Sequence, residues 1–530
     1  MKPVGGQPNV QALNVGTNTT DEITDEHETD TKGGNANDQG NMYRMNKQQE
    51  LRRNFRFLSI FGYSLLLGNG WCLSIIGLLI PLTNGGSAGT IWMYLIIIIG
   101  MVFSTLSMAE LASMAPTAGG QYHWVSEFAP REYQRVLSYL TGWLCVLGWQ
   151  TALCATAYSA ALALQGMIAL CIPDYSAPAW HGVLLTLGGV MVTIIFNTIF
   201  LRKLPAFEGG MLVIHIFGFF AVFIVLWVMG DKAPAREVWL EFEDAQGWGS
   251  VGLAMLVGSL SASGSLVGAD SAAHLGEELR DASWVLPRSM IACAVVNYSL
   301  TFLMVVTILT VKGGTVEELI ATDYVQPYVQ IFYNVTQSRS GALALTALLW
   351  VLLMFGIINQ VTTASRQLWS FARDRGLPWS NFLSRVQPGW EIPLNAVVVT
   401  LAFSVIVSMI ILGSPVAFFT LGSLCYSALY ASYIICIGCV ARKRIVGEPL
   451  LPSRFDLGPR LGLFVNLAAI AFAMVQFLFV FFPTAPNPTV PYFNWTLLVF
   501  VVVLLWALLY YHIWGKKAYQ GPVTYVRRTQ

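Results

Sequence analysis

Charged residues are scarce in this chain: Asp, Glu, Lys and Arg together make up 11% of its 530 residues. A soluble protein carries about a quarter of its residues as charged side chains, because a water-facing surface requires them. Hydrophobic residues make up 55%, and the mean hydropathy is +0.59. The charges lie between apolar runs of about 20 residues, the length that crosses the hydrocarbon core of a bilayer. The composition therefore excludes a single soluble domain and predicts a multi-pass membrane protein.

The chain also lacks the motifs of common enzyme chemistry. No phosphate-binding loop, GxSxG elbow, HExxH zinc motif or paired-carboxylate arrangement occurs in it. The eight cysteines lie in or beside apolar runs, and Cys436 and Cys439 form one CxxC without a second pair. A structural zinc site usually needs four ligands. We therefore predict no enzyme activity, no cofactor and no metal, and the net charge of +1 gives no indication of a nucleic-acid partner.

Apolar runs of membrane-spanning length recur along the chain and predict an all-α integral membrane protein with about twelve transmembrane helices. The third run is long enough for a tilted helix with an extramembrane turn. The ninth and tenth runs are separated only by residues 413–415, which leaves eleven or thirteen spans as alternatives. The predicted spans are 57–82, 90–113, 134–170, 181–201, 210–230, 250–274, 290–312, 341–365, 394–412, 416–440, 460–482 and 494–514.

The two ends of the chain are polar. Residues 1–50 contain few apolar side chains and an acidic cluster, so they predict a disordered cytoplasmic tail. Residues 51–515 form the predicted transmembrane domain, and residues 516–530 form a predicted cytoplasmic C-terminal tail.

Lysine and arginine are unevenly distributed between the predicted loops. With a cytoplasmic amino terminus, only four of the 30 cationic residues fall in outside loops, namely Lys232, Arg236, Lys312 and Arg339. Cytoplasmic loops of membrane proteins carry an excess of Lys and Arg. Both termini are therefore predicted to be cytoplasmic, in a protein that we assign to the plasma membrane. This orientation places the sequon at Asn334 on an outer loop, where we expect glycosylation.

Two predicted spans are rich in small residues that interrupt helices. The first contains Gly68, Asn69 and Gly70, and the sixth contains the run GSLSASGSLVGADSAAHLG, residues 258–276. Non-helical backbone persists in a bilayer only where it lines a cavity or is buried in protein. Paired interrupted helices in the two halves of a chain therefore indicate the binding site of a secondary transporter. The alternative is that glycine and serine only allow close helix packing.

Few ionisable groups lie within the predicted spans. Asp270 lies inside the interrupted sixth span, where a carboxylate is energetically expensive and usually functional. His215, in the fifth span, is either a hydrogen-bonded packing residue or a proton-linked contact. Glu110, near the end of the second span, fits either a gate or a helix cap. Because no motif for ATP hydrolysis is present, an ion gradient or the solute gradient is the expected driving force.

Three segments on the predicted cytoplasmic side carry longer motifs. Residues 109–124, AELASMAPTAGGQYHW, resemble the AELAxxxPxAGGxYxW segment of the amino acid–polyamine–organocation permeases. Residues 277–291, EELRDASWVLPRSMI, are similar to that family's EExxxPxRxIPRAI run, although one proline is replaced. Residues 364–378, ASRQLWSFARDRGLP, resemble its ASRxxxAxARDGxLP motif. Residues 82–89, LTNGGSAG, are most similar to the fungal amino acid/choline transporter branch, and the resemblance covers roughly residues 50–515.

This resemblance implies a LeuT-type fold. Two inverted five-helix repeats, at about residues 57–230 and 250–440, would be followed by two extra helices at about 460–514. Members of the branch carry choline, ethanolamine, GABA, other amino acids or polyamines, and the resemblance implies coupling to protons. We therefore expect a proton symporter of amino acids or related amines such as choline or GABA. It would work by alternating access, in contact with the lipid bilayer and without a nucleic-acid partner.

The resemblance also places the substrate site at the interruptions of the first and sixth spans. Relatives carry FxGxE where this chain has LVGAD, so Leu266 replaces an aromatic gate and Asp270 is one methylene shorter than glutamate. Proton coupling is assigned to His215 and Asp270, because His215 lies near the position of a membrane lysine in several relatives. The expected substrate-binding residues are Gly68, Asn69, Gly70, Trp71, Ser263, Gly264, Ser265, Leu266, Gly268 and Asp270.

Helix-end chemistry leaves the solute open. Freed backbone N–H groups suit a carboxylate and unwound carbonyl groups suit an ammonium, so an amino acid could satisfy both. A choline-like cation lacks the carboxylate and favours aromatic faces, for which Trp71, Trp149 and Tyr426 are candidates. Two other functions remain as alternatives: a non-transporting or dual-role nutrient receptor on the same fold, and a channel.

Overall fold

The computed structural model describes residues 33–45, 47–200, 204–387, 392–413, 416–519 and 521–522. Helices form nearly all of the regular structure, and no β-strand occurs within these ranges. Most of the predicted amino-terminal tail, residues 1–32, lies outside the described residues, as does most of the predicted C-terminal tail, residues 523–530.

Twelve helical spans are long and apolar enough to cross a membrane, which confirms the predicted number. Span 3 has 38 residues, or roughly 57 Å at 1.5 Å per residue, so it extends well beyond a hydrocarbon core of about 30 Å. Spans 1 to 12 are, in order, Phe57–Thr83, Gly86–Met114, Gln134–Cys171, Ala179–Thr198, Ala206–Met229, Val251–Glu278, Ala282–Val311, Arg339–Arg373, Leu394–Leu412, Phe419–Val446, Pro459–Phe479 and Thr496–Ala518.

Several spans are built from more than one helical segment. Span 1 consists of Phe57–Gly68, Gly70–Ile76 and Leu79–Thr83, and span 6 consists of the α-helix Val251–Leu266 and the 3₁₀-helix Ser271–Glu278. The first and sixth spans are thus interrupted, as the glycine-rich runs predict. The shorter helices outside the spans are Ala36–Arg44, Gln121–Phe128, Ala235–Leu240, Val316–Ile320, Pro327–Thr336, Ser380–Leu383 and the 3₁₀-helix Val490–Tyr492.

The spans form an inner bundle with a lipid-facing periphery. In spans 3 and 10, 72% and 78% of the most apolar window is buried, whereas spans 4, 5 and 12 bury only 28%, 28% and 22%. The outer spans instead present apolar side chains outward, such as Phe217, Val228 and Ile406. Exposed apolar surface of this extent is stable against lipid and not against water. The inner bundle, in which span 3 packs on spans 8 and 10, therefore holds the interrupted spans.

The predicted disorder of residues 1–50 is wrong for Ala36–Arg44, which forms a helix on the predicted cytoplasmic side. Asp38 in this helix is buried and accepts hydrogen bonds from the backbone N–H groups of Asp281 and Ala282, at 2.9 and 3.0 Å. Its carboxylate also lies 3.4 Å from the buried guanidinium of Arg53. This segment orders because its carboxylate caps the first turn of span 7, a contact between residues too distant in sequence for composition to reveal.

Candidate functional site

The interruption of span 1 is a single left-handed residue. Asn69 has φ +39° and ψ +40°, and its backbone separates helix Phe57–Gly68 from helix Gly70–Ile76. Its side chain is buried. The backbone N–H of Gly70 donates to the Asn297 side chain of span 7, at 2.9 Å. A Cβ atom on Gly70 would lie 2.6 Å from the Ser265 carbonyl oxygen, so only glycine fits beside span 6 here.

The interruption of span 6 is longer but is confined to four residues. The α-helix ends at Leu266, Val267 is extended, and Gly268 has φ +107°, a conformation that suits glycine. The backbone is helical again from Ser271 onward. Ser263 to Leu266, which we expect among the substrate-binding residues of this interruption, still belong to the α-helix.

Both interruptions open onto one cavity of about 60 Å³. Gly68 and Gly268 lie on its wall, together with Trp149 of span 3 and Tyr426 of span 10. A Cβ atom on Gly268 would lie at ordinary van der Waals distance, 3.6 Å from the Trp149 ring and 3.7 Å from Leu67, so it is the positive φ and not the space that favours glycine here. The remaining lining residues are Leu73, Ala152, Ala155, Thr156, Ser159, Gly264, Val267, Gln360, Gly422, Cys425 and Leu429.

The structure brings together only part of the expected substrate site. Gly68, Gly264 and Gly268 line the cavity, as do the aromatic candidates Trp149 and Tyr426. The expected residues that do not line it are Asn69, Gly70, Trp71, Ser263, Ser265, Leu266 and Asp270.

Two serines of the expected site have structural partners elsewhere. The Ser263 hydroxyl donates to the Gln476 side chain of span 11 at 2.6 Å, and the Ser265 hydroxyl donates to the Tyr94 hydroxyl of span 2 at 3.3 Å. Leu266, in the position of the family's aromatic gate, is buried in the hydrophobic core. These side chains therefore hold the helix in place beside the cavity.

Two residues of the cavity wall carry polar atoms without a partner: Trp149, already an expected aromatic candidate, and Gln360, which was not predicted from the sequence. The Gln360 side-chain oxygen on span 8 and the Trp149 indole nitrogen are both buried without a hydrogen-bond partner in the described structure. A buried polar atom without a partner costs about 1–3 kcal/mol, so such atoms indicate a place for a missing ligand or water. The polar pair Asn359 and Gln360, which follows a long apolar run in span 8, was the available sequence signal for Gln360.

Asp270 lies beyond the cavity, on the span 6 segment that leads to the predicted cytoplasmic side. It is fully buried, and one carboxylate oxygen accepts a hydrogen bond from Tyr433 of span 10. The other oxygen accepts from the Gln121 side chain at 2.5 Å and lies 3.5 Å from Nε2 of His274. The Tyr433 and Gln121 donors thus tie this segment of span 6 to span 10 and to helix Gln121–Phe128.

His215 lies on span 5 away from the cavity, where it contacts span 1. Its Nε2 atom accepts a hydrogen bond from the Trp71 indole N–H at 3.1 Å, and the two ring centroids are 5.7 Å apart. Its Nδ1 atom is buried without a partner among the described residues. Of the two alternatives for His215, this geometry fits a hydrogen-bonded packing residue. Trp71 does not line the cavity.

A second intramembrane carboxylate, Glu208 on span 5, was not singled out from the sequence. Its side chain is 3% exposed and accepts a hydrogen bond from the Asn359 amide of span 8 at 3.1 Å. Gly62 of span 1 packs directly on the Glu208 backbone. The glutamate is visible in the sequence, but it lies two residues before the predicted start of span 5 at residue 210 and is therefore predicted to lie outside the membrane.

Ion pairs join the predicted cytoplasmic ends of the spans. Arg373 of span 8 makes a two-pronged contact with Glu277 of span 6, at 2.7 and 2.8 Å. Glu110 accepts from Arg444 at 2.6 Å and from the Leu457 backbone at 3.0 Å, so it ties span 2 to span 10 and to the loop before span 11. Of the two alternatives for Glu110, this geometry fits a structural contact at a helix end.

The amino-terminal segment adds one further buried contact to this face. Lys47 lies 3.2 Å from Asp374, just after span 8, and Tyr122 donates to the same carboxylate at 2.8 Å. Burial lowers the pKa of the Lys47 ammonium, and the neighbouring Asp374 carboxylate opposes that shift. The segment before span 1 is thus fastened across the ends of spans 7 and 8.

The interrupted helices, the shared cavity and the twelve spans define a membrane transport protein. The model of the amino acid permease family matches residues 58–505, so the chain belongs to that family.

Similar proteins are found in fungi. A putative amino acid/polyamine transporter of Macrophomina phaseolina is 30% identical over 426 residues, 79% of this chain and 93% of that protein. The choline transporter of Saccharomyces cerevisiae is 27% identical over 504 residues, 94% of this chain and 87% of that protein. The GABA-specific permease of the same yeast is 25% identical over 505 residues, 92% and 86% of the two chains. The chain is therefore a transporter of amino acids or amines and not an enzyme.

Proposed function

We propose that this chain is a secondary active symporter that moves a small amine together with protons by alternating access. The solute is choline, GABA or another amino acid. The observation that carries the proposal is that the interruptions of spans 1 and 6 share one cavity, with Gly68 and Gly268 on its wall. The resemblance to a choline transporter and a GABA-specific permease supports the same solute class.

The cavity suits a cation better than an anion. None of its lining residues carries a formal charge, and the faces of Trp149 and Tyr426 can attract an ammonium group. Backbone carbonyl groups at the end of helix Phe57–Gly68 add partial negative charge. The unpartnered Gln360 oxygen would accept a hydrogen bond from a hydroxyl or ammonium of the solute, and the Trp149 N–H would donate to a hydroxyl or carboxylate.

We assign proton coupling to Asp270, with His215 as the second candidate. A line of contacts leads from the cavity to Asp270: the Trp149 ring packs edge-on against His274 at 5.7 Å, and His274 lies 3.5 Å from the carboxylate. Protonation of Asp270 would weaken its charge-assisted hydrogen bonds to Tyr433 and Gln121. The segment after the span 6 interruption could then move relative to span 10.

Uptake of labelled choline and GABA tests this proposal in cells that express the protein, at outside pH 5 and pH 7.5. We expect saturable uptake of one solute, greater at pH 5, and a loss of at least about tenfold in Asp270→Asn. Asp231→Asn is the matched control because it removes an exposed acid in the loop after span 5. Surface expression of all variants is measured in parallel.

Other outcomes of the same experiment separate the alternatives. Accumulation that persists at both pH values in Asp270→Asn would contradict the assignment of coupling to this residue. Binding of a solute without accumulation would favour a nutrient receptor on the same fold. Flux that does not saturate with solute concentration would favour a channel. A wild-type protein that takes up neither probe would contradict choline and GABA as solutes and leave another amino acid to be tested.

We further propose that both termini are cytoplasmic and that the protein resides in the plasma membrane. Asn334 then lies outside, on helix Pro327–Thr336, where its side chain accepts a hydrogen bond from Gln330 at 2.7 Å. Glycosidase treatment of surface-labelled protein should shift the wild type and leave Asn334→Gln unchanged. Asn494→Gln is the control, because that buried side chain donates to the Val480 and Phe482 carbonyl groups. A shift that persists in Asn334→Gln would contradict glycosylation at this residue.

A further inference from the structure

A basic pocket lies apart from the cavity, where the start of span 3 meets the end of span 12. Its volume is about 480 Å³, and four cationic residues line it: Arg131, Arg135, Lys516 and Lys517. The other lining residues, which include Gln134, are uncharged. Four positive charges around one concave surface create a strong attraction for a multiply charged anion.

The charges of this pocket are not neutralised by neighbouring carboxylates. None of the four cations takes part in an ion pair within the part of the chain that the structure describes. Glu132, next to Arg131 in sequence, does not line the pocket. The Arg135 guanidinium donates instead to the backbone carbonyl groups of Lys516 and Tyr519. Arg135 therefore joins the two walls of the pocket and leaves its positive charge uncompensated.

Aromatic residues beside the pocket place it at the membrane–water interface. The rings of Tyr510 and Trp514, on the last turns of span 12, lie 5.4 Å apart. The exposed Tyr133 immediately precedes span 3, and the exposed Trp506 lies about three turns before Lys516 on span 12. Tyrosine and tryptophan concentrate at the level of lipid headgroups, so the pocket lies within reach of a headgroup and not in the bulk solvent.

We propose that this pocket binds the phosphorylated headgroup of an anionic phospholipid in the cytoplasmic leaflet. The proposal rests on the cytoplasmic placement of the termini proposed above. Basic pockets between transmembrane helices on this side of a membrane attract such headgroups. Because four cations line the pocket, a headgroup that carries several phosphates matches its charge better than one phosphate does. An inositol lipid with two or more phosphates supplies that charge.

Bound lipid would connect two distant parts of the chain. Span 3 contributes Trp149 to the central cavity, whereas span 12 lies at the periphery and packs on span 3. A headgroup held by Arg131 on one wall and by Lys516 and Lys517 on the other would strengthen that contact. The lipid would therefore stabilise the folded transporter in addition to binding it.

The test uses the full-length protein in phosphatidylcholine nanodiscs, with dioctanoyl phosphatidylinositol bisphosphate as the probe. The pocket variant is Lys516→Ala with Lys517→Ala, two exposed residues whose side chains have no hydrogen bond in the structure. The control variant is Arg385→Ala with Arg460→Ala, two exposed cations on the same predicted side but outside the pocket. We expect the pocket variant to bind about 30-fold more weakly and the control to stay within about twofold of the wild type. Replacement of both lysines by arginine should preserve binding.

Competition identifies the source of the phosphate. Soluble inositol trisphosphate should displace the probe, whereas inorganic phosphate at millimolar concentration should not. Equal displacement by inorganic phosphate would overturn the proposal in favour of a site for free anions. Equal loss of binding in the pocket and control variants would show only general surface attraction and would also overturn it, as would full affinity in the pocket variant.

If the pocket variant does not fold, Arg131→Ala in the exposed loop takes its place with the same expected direction. None of these outcomes depends on solute uptake, so the failure of this proposal and of the transport proposal can be distinguished.

Discussion

The indole N–H of Trp71 on span 1 donates a hydrogen bond to Nε2 of His215 on span 5, across 3.1 Å in the buried interior. The contact joins the half of span 1 after its interruption to a span that faces lipid on its other side. A side chain of span 5 thus holds an element of the transport site without touching the cavity.

This contact predicts separate effects of two His215 variants. His215→Phe leaves the Trp71 N–H buried without an acceptor, so we expect a loss of about 1–3 kcal/mol in the free energy of unfolding. His215→Gln keeps an acceptor and should lose less. Thermal unfolding of the detergent-solubilised protein measures both.

We expect uptake by His215→Gln to remain greater at pH 5 than at pH 7.5, and loss of that difference would move the coupling role from Asp270 to His215.

Tyr433 donates a hydrogen bond to the Asp270 carboxylate, whereas the hydroxyl of Tyr430, one turn earlier on the same span, donates to the Met101 sulfur at 3.8 Å. Both tyrosines are fully buried. Tyr433→Phe removes one of the donors to Asp270, so we expect initial uptake rates to fall at least about tenfold, in line with loss of a charge-assisted hydrogen bond. Tyr430→Phe is the matched control and should stay within about twofold. Equal uptake by the two variants, after correction for surface expression, would contradict a role for Tyr433 in transport.

Glu208 is a buried intramembrane carboxylate whose hydrogen-bond partner is the Asn359 amide. Because a carboxylate without a cation partner is costly to bury, Glu208→Gln should raise the unfolding temperature or leave it unchanged. Carboxylates buried within the membrane are usually functional, so the same variant should lower uptake at least about fivefold. Glu132→Gln, in the exposed loop before span 3, is the control. A Glu208→Gln variant that transports like the wild type would show that this carboxylate is dispensable for transport.

The interruptions could be predicted from the sequence because their cause is local. Asn69 and Gly268 adopt left-handed backbone conformations, and these residue types tolerate positive φ, so composition alone indicates where the helices break. The same local reasoning predicted twelve spans and their order. It could not set the exact length of the span 6 interruption, since serines such as Ser263 and Ser265 are compatible with both helix and loop.

The contents of the site were harder to predict because they depend on helix rotation and on distant contacts. Trp71 and Trp149 are both aromatic residues within spans, yet only Trp149 faces the cavity. The partners of Asp270 are Gln121 and Tyr433, which are 149 and 163 residues away in the chain. No spacing rule connects residues at such separations. Apolar periodicity is also weak in spans surrounded by lipid and protein, so it does not identify the face that turns inward.

Asp38 connects the amino-terminal helix to the first turn of span 7. Asp38→Ala removes the acceptor for two backbone N–H groups and leaves the Arg53 guanidinium without its carboxylate, so we expect a loss of about 1–2 kcal/mol in stability. Residues 36–44 should also exchange their amide hydrogens faster. Hydrogen–deuterium exchange with mass spectrometry measures both effects against Asp323→Ala, which removes an exposed acid on the opposite predicted side. Unchanged exchange in residues 36–44 would show that other contacts suffice to hold this helix.

His123 gives the protein a pH dependence of stability that is separate from transport. The residue lies between spans 2 and 3 on helix Gln121–Phe128, is fully buried, and has Nε2 3.4 Å from the Glu127 carboxylate without a hydrogen bond. Burial lowers the pKa of the His123 imidazole; the nearby Lys47 acts in the same direction, and the Glu127 and Asp374 carboxylates oppose it. In the unfolded chain the same imidazole binds a proton near pH 6.5.

The sign of the effect follows from this difference. As the pH falls below about 6.5, the unfolded chain takes up a proton at His123 before the folded protein does, so the free energy of unfolding decreases. We therefore expect the unfolding temperature of the wild type to fall between pH 7.5 and pH 5.5. His123→Gln cannot take up this proton, so its decrease over the same range should be smaller, whereas His512→Gln, at an exposed position, should behave like the wild type. If His123→Gln and the wild type lost stability equally on acidification, the acid sensitivity would arise at other groups. The protonation of His123 would then make no contribution to the free energy of unfolding over this pH range.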